Sequence, residues 1–169
     1  SGFRELDPVA ILEIKDSRGN VLEEFKGPRT REILRPQVAF LMNDILSDNN
    51  ARARMFGIDS PLHMQRPVAA KTGTTNNYRD AWTLGFTPQI AVGVWVGNSD
   101  NAEMKSLPGV RGAGPIWHDL MEYILDPLPV VEFAEPPGLT RMVVDATSGL
   151  LPTEYSPARI TELFIQGTE

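Results

Sequence analysis

Hydrophobic and polar positions alternate with a period of two along Asp80–Phe86, which puts Trp82, Leu84 and Phe86 on one face of an extended segment. Thr87-Pro88-Gln89 then reads as a tight turn, because proline presets its own φ and has no N–H for a ladder. Ile90–Val96 follows, β-branched on one face and small or aromatic on the other, the pattern of an inner strand covered on both sides. With a strand over residues 67–74 ahead of them, these segments form an antiparallel meander. A second pair is expected near the start: Val9–Ile14, with Ala10, Leu12 and Ile14 on one face, and Val21–Phe25. Asp16–Asn20 turns between them, with Gly19 free to take a positive φ. This hairpin reads as scaffold or as one wall of a cleft.

Helical spacing takes over in two places. Val38, Leu41, Met42 and Ile45 make an apolar stripe on a helix opening near Pro36, where a missing N–H costs nothing, and Asp48-Asn49-Asn50 ends it. A second helix is expected from Pro115, burying Trp117, Leu120, Met121 and Ile124 and stopped by Asp126-Pro127. Residues 51–66 read as a loop with solvated Arg52, Arg54 and Arg66, pinned by Phe56 and Leu62, and residues 98–114 as an exposed loop. Four prolines over residues 127–138 suggest a semi-rigid linker, so residues 1–127 are set apart from a linker and tail at 128–169. Within that tail Leu139–Asp145 reads as a short strand and 146–149 as a turn. The rest reads as irregular. The fold class expected is α+β, an antiparallel sheet (meander plus hairpin) flanked by helices.

A chain of 169 residues can bury one real core, and a formal net charge of −6 argues against a nucleic-acid partner, which needs clustered basic surface. With no cysteine, disulfides and thiolate chemistry are excluded. His63 and His118 are far apart in sequence and not set among close carboxylates, so no metal site is expected. No apolar run is long enough to span a membrane.

The chemistry concentrates in Lys71-Thr72-Gly73-Thr74. An ammonium beside hydroxyls suits a carboxylate and raises the local potential for anionic substrates. Gly73 lets a ligand backbone approach and add along a strand edge, and the Thr74 N–H can face a developing oxyanion. Alone, these few residues more readily describe a surface strand with a solvated lysine and ordinary threonines.

The surroundings narrow the choice. Ala-Ala-Lys-Thr-Gly-Thr-Thr-Asn-Asn-Tyr-Arg-Asp-Ala-Trp-Thr-Leu-Gly-Phe-Thr-Pro, then Val-Gly-Val-Trp-Val-Gly-Asn-Ser-Asp-Asn, resembles the transpeptidase domain of bifunctional class A penicillin-binding proteins. Gly112–His118 is similar to the start of that family's late helix, and Pro152–Glu169 to the tail common after the domain. The resemblance implies the penicillin-binding/serine β-lactamase-like fold. It also implies a serine D,D-transpeptidase that cross-links peptidoglycan stem peptides and is acylated by β-lactams, with a glycosyltransferase domain upstream. Lys71 then matches the motif lysine that orders a middle-motif serine. Thr72 and Thr74 match the hydroxyls that receive the substrate carboxylate, Gly73 the small residue, and the Thr74 N–H the oxyanion donor. No metal or organic cofactor is implied. The family's Ser-x-x-Lys does not occur here, and Ser47-Asp48-Asn49 has the letters of Ser-x-Asn only at a helix end. The expectation is therefore a carboxy-terminal part of the domain, with its nucleophile outside these residues. Its partners would be stem peptides and β-lactams, plus the upstream part of its own domain or a dimer partner. No direct membrane contact is expected. The location would be the cell envelope, outside the cytoplasm, with the parent anchored by an upstream segment. Two rivals remain: a non-catalytic module that binds muropeptide or β-lactam, and a structural fragment whose sheet has an uncovered apolar face.

Overall fold

The computed structural model describes residues 3–5, 9–27, 30–105 and 108–168. In chain order the elements are β1 (Phe3–Glu5), β2 (Glu13–Lys15), β3 (Val21–Glu24), β4 (Thr30–Glu32), α1 (Pro36–Ser47) and α2 (Asn49–Phe56). Then come β5 (Ala69–Thr74), β6 (Asp80–Phe86), β7 (Ala91–Gly97), α3 (Gly109–Leu125), β8 (Leu139–Asp145) and β9 (Arg159–Ile165). The class is α+β, with every strand pair antiparallel. Two compact units form: Ser1–Ala39 with Pro136–Glu169, and Phe40–Glu135. No helix of the described residues is long and apolar enough to cross a membrane.

The first unit is made of two-stranded pairs. β2 and β3 form the expected hairpin, closed by the Asp16 carboxylate, which accepts from the N–H groups of Arg18 and Asn20 and from the Asn20 side chain. Gly19 takes φ 86° there. β1 pairs with β4, a pairing the hydrophobic pattern did not announce. Residues 159–165, expected to be irregular, are β9, which pairs along its full length with β8 from Leu139↔Ile165 to Asp145↔Arg159. Seven successive partners outweigh a weak local pattern. The turn after β8 is organised by Asp145, whose Oδ1 accepts from Thr147 N at 2.9 Å, Ser148 N at 2.8 Å and Ser148 Oγ at 3.1 Å. Hydrogen bonding, from the Ser148 N–H foremost, then from the Ser156 side chain and the Thr147 N–H, lowers the Asp145 pKa to about 2.

The second unit holds the sheet β5-β6-β7, in that order, so β6 is the inner strand. β7, expected to be inner, is an edge strand of this sheet among the described residues. Its turn from β6 is as expected, with the Thr87 hydroxyl accepting from the N–H groups of Gln89 and Ile90. The segment expected as a loop over 51–66 begins with α2, capped by the Asp48 carboxylate on the N–H groups of Asn50 and Ala51. Arg52 is half-buried there rather than solvated, donating to Ser47 O and Asn49 Oδ1, and burial lowers its pKa.

α3 starts at Gly109, well before Pro115, which sits inside it. Three glycines over 109–114 are poor helix formers, but packing overrides propensity: Gly109, Ala113, Trp117, Met121 and Leu125 recur every fourth residue and are all buried. Leu120, expected on the buried face, is exposed. The core joins Trp117, Met121 and Leu125 of the helix to Leu62, Met64, Val68 and Ala70, with Phe56, Val92 and Val94 against them. Gly85 seats the indole of Trp117: a Cβ there would lie 2.2 Å from its Cζ2. The indole N–H donates to Val92 O at 3.2 Å. That face of the sheet is closed.

Candidate functional site

All four candidate residues lie on β5, which pairs only with β6 and so leaves its other edge open among the described residues. Strand alternation splits them. Lys71 and Gly73 share the face of Leu84 and Trp82, their partners across the ladder, while Thr72 and Thr74 point to the α3 side. The motif therefore straddles the edge, with a cation on one side of it and hydroxyls on the other.

Lys71 is exposed, and its ammonium donates to the Thr72 carbonyl at 2.6 Å. Among the described residues it pairs with no carboxylate. A Cβ at Gly73 would meet Trp82 Cβ at 3.5 Å, an ordinary contact, so the protein's own packing does not require glycine there. Thr74 is exposed, and its hydroxyl oxygen accepts the Gly109 N–H at 2.9 Å.

The connection beyond Thr74 is held from several sides. Asp80 accepts from Thr75 Oγ1 at 3.0 Å and from Trp95 Nε1 at 2.8 Å, and its own N–H donates to Thr75 Oγ1 at 2.8 Å. The sequence suggests an Arg79–Asp80 pair. Instead Arg79 meets Glu103 at 3.2 Å and donates to the Asn101 carbonyl, and the Met104 N–H donates to Tyr78 O. Asn77 and Tyr78 take φ 61° and 53° in the single 3-10 turn Asn76–Tyr78, a left-handed conformation that costs non-glycine residues energy unless neighbours enforce it.

Trp82 and Trp95, the latter on a strand expected to be covered on both sides, stand side by side on the open face, 40% and 43% exposed, with Leu84 at 53%. The reason is that α3 packs on the opposite face, where Ala70, Ala81 and Gly85 are small enough to admit it. His63 and His118 each place Nδ1 against a backbone carbonyl, of Ile58 and Pro61. Two contributors carried little sequence signal. Gly109 followed a proline in what reads as a loop, and Thr83 is one threonine among many. A wholly buried Thr83 in the middle strand would have been the only hint.

Over nearly its whole length the chain matches curated penicillin-binding proteins. It is 32% identical over 168 residues to penicillin-binding protein 1A of Clostridium novyi, covering 96% of this chain and 19% of that protein. Against penicillin-binding protein 1A of Aquifex aeolicus it is 34% identical over 171 residues, 98% of this chain and 22% of that protein. The chain is similar to penicillin-binding protein 1A. A family model described as penicillin-binding protein 1A, C-terminal domain, matches residues 135–169, the stretch that holds β8 and β9. The fold also matches the crystal structure of penicillin-binding protein 1A from Haemophilus influenzae. The TM-score is 0.76 at 25% identity, over 99% of this chain and 30% of that one. The chain thus spans about a fifth of the length of these curated 1A relatives.

Proposed function

We propose that these residues are the carboxy-terminal portion of the transpeptidase domain of a class A penicillin-binding protein, and that the β5 edge is the carboxylate and oxyanion wall of its D,D-transpeptidase site. One observation carries the reading: on a strand edge that is open among the described residues, an ammonium that pairs with no carboxylate among them lies on one face and two threonine hydroxyls lie on the other, in a chain similar to penicillin-binding protein 1A. In this reading a serine outside residues 1–169 attacks the carbonyl before the terminal D-Ala of a stem peptide. The peptide C–N bond breaks, D-Ala leaves as the protonated amine, and the acyl group stays on the serine oxygen. An amine of a neighbouring strand then takes the acyl group and frees the serine. Lys71 raises the potential at the site, Thr72 and Thr74 bind the terminal carboxylate, and the Thr74 N–H stabilises the oxyanion, a donor worth about 10²–10³ in rate. β-Lactams enter the same site because they present an acyl group and a carboxylate in the same relation.

The location that follows is the cell envelope, outside the cytoplasm. The open face of Trp82, Leu84 and Trp95 is covered by the upstream part of the same domain or by a second copy. The test is acylation of the complete protein by benzylpenicillin. Thr72→Val and Lys71→Ala should each lower the second-order rate by about tenfold or more. An unchanged rate in both would sink the reading. If penicillin binds reversibly but never acylates, the site belongs to a non-catalytic binding module.

A further inference from the structure

This inference rests on the carboxylate-wall reading above and concerns what aims the Thr74 hydroxyl. A hydroxyl has one proton to donate and two lone pairs to offer. At Thr74 one lone pair is taken by the Gly109 N–H, at 2.9 Å. The proton must then point elsewhere, and among the described residues no protein group accepts it. Thr74 is exposed, so that proton is free to be donated to a ligand at the β5 edge.

Gly109 is itself fixed on two sides. Its carbonyl accepts from Thr83 Oγ1 at 3.3 Å, and Thr83 is fully buried. A Cβ at 109 would lie 2.6 Å from both Gly73 O and Trp82 O, so any other residue pushes the helix start away from the β5–β6 pair. As the first residue of α3, Gly109 has an N–H without an intrahelical partner, at the positive end of the helix dipole. A donor so placed polarises the hydroxyl it binds and makes its proton a better donor to an anion.

We infer that Gly109 is a positioning residue for the Thr74 hydroxyl, holding its proton toward a ligand carboxylate. The test is the ratio of second-order acylation rates with benzylpenicillin and with its methyl ester, measured on the complete protein. Thr74→Val should lower the free-acid rate about ten- to hundredfold and the ester rate far less. Gly109→Ala should lower the acid-to-ester ratio by a similar factor, and adding it to Thr74→Val should lower the ratio no further. Because a Cβ at 109 also strains the strand pair, an amide-to-ester replacement at Gly109, which deletes the N–H without adding bulk, is measured beside it. It should reproduce the loss, and it decides alone where Gly109→Ala does not fold. If Thr74→Val lowers the ratio while both changes at 109 leave it intact, the inference is overturned and the wall reading stands. Equal losses with acid and ester mean a merely structural role and overturn it too. If Thr74→Val leaves the ratio alone, the wall reading falls and takes the inference with it.

Discussion

One face of the β5–β6–β7 sheet carries Ala70, Thr83, Gly85, Val92 and Val94 and lies under α3. The other carries Lys71, Gly73, Trp82, Leu84 and Trp95 and is open. The closed face is the one with the small residues and the open face the one with the large aromatics. Hydrophobicity alone would have ranked them the other way. A helix packs where its ridge can come close, and the Trp117 indole needs the absence of a side chain at Gly85 more than it needs another aromatic. The face left open is the one that carries the cation of the candidate site.

The largest expected contrast is between the tryptophans. Trp117→Ala empties the centre of the closed face and should cost about 3–5 kcal/mol, read from urea denaturation. Trp95→Ala removes a half-exposed ring and one bond to Asp80 and should cost about 1–2 kcal/mol. Equal losses would mean the open face is a second core. Next come two glycines on adjacent strands. Gly85→Ala drives a methyl into Trp117 and against Ala69 O, 2.9 Å away, for about 1–3 kcal/mol. Gly73→Ala meets only an ordinary contact and should leave the melting transition within about 0.5 kcal/mol while slowing acylation. A Gly73→Ala protein that unfolds would show that this glycine serves packing and not the ligand.

A smaller effect is expected at Thr83→Val, which removes the bond to Gly109 O from the closed face, at about 1 kcal/mol. The last prediction lies outside the sheet and serves as a control. The Asp145 pKa is lowered to about 2, below the unfolded value of 3.8, so its contribution is present above about pH 4 and is lost as the pH falls toward 2. The protection of β8 and β9 amides, taken relative to the intrinsic exchange rate at each pH, should fall over that window, and Asp145→Asn should abolish the dependence without touching the Trp117→Ala and Trp95→Ala difference.

Much of this architecture was legible in the residues. The alternation at Asp80–Phe86, the Thr87-Pro88 turn and the Asp16–Asn20 turn are local, and local chemistry determines them. What was not legible is non-local. The early start of α3 depends on burial at every fourth residue, which outweighs three glycines. The strand β9 depends on a partner some twenty residues away. At the site, the strand letters predict a motif on an edge but not which face is open. Asp80 turns to Trp95 rather than to its neighbour Arg79: Trp95 lies two residues before Gly97, the ladder partner of Asp80, and so shares its face, while Arg79 is a sequence neighbour on the opposite face.

The most direct measurement is intact-mass spectrometry with peptide mapping after incubation with a fluorescent penicillin, on residues 1–169 alone and on the complete protein. The expected result is no adduct on residues 1–169 alone, and in the complete protein one covalent adduct outside them that is lost or much reduced in Lys71→Ala and Thr74→Ala. An adduct on any of these 169 residues, or full labelling of the complete protein with both side chains removed, would contradict the account.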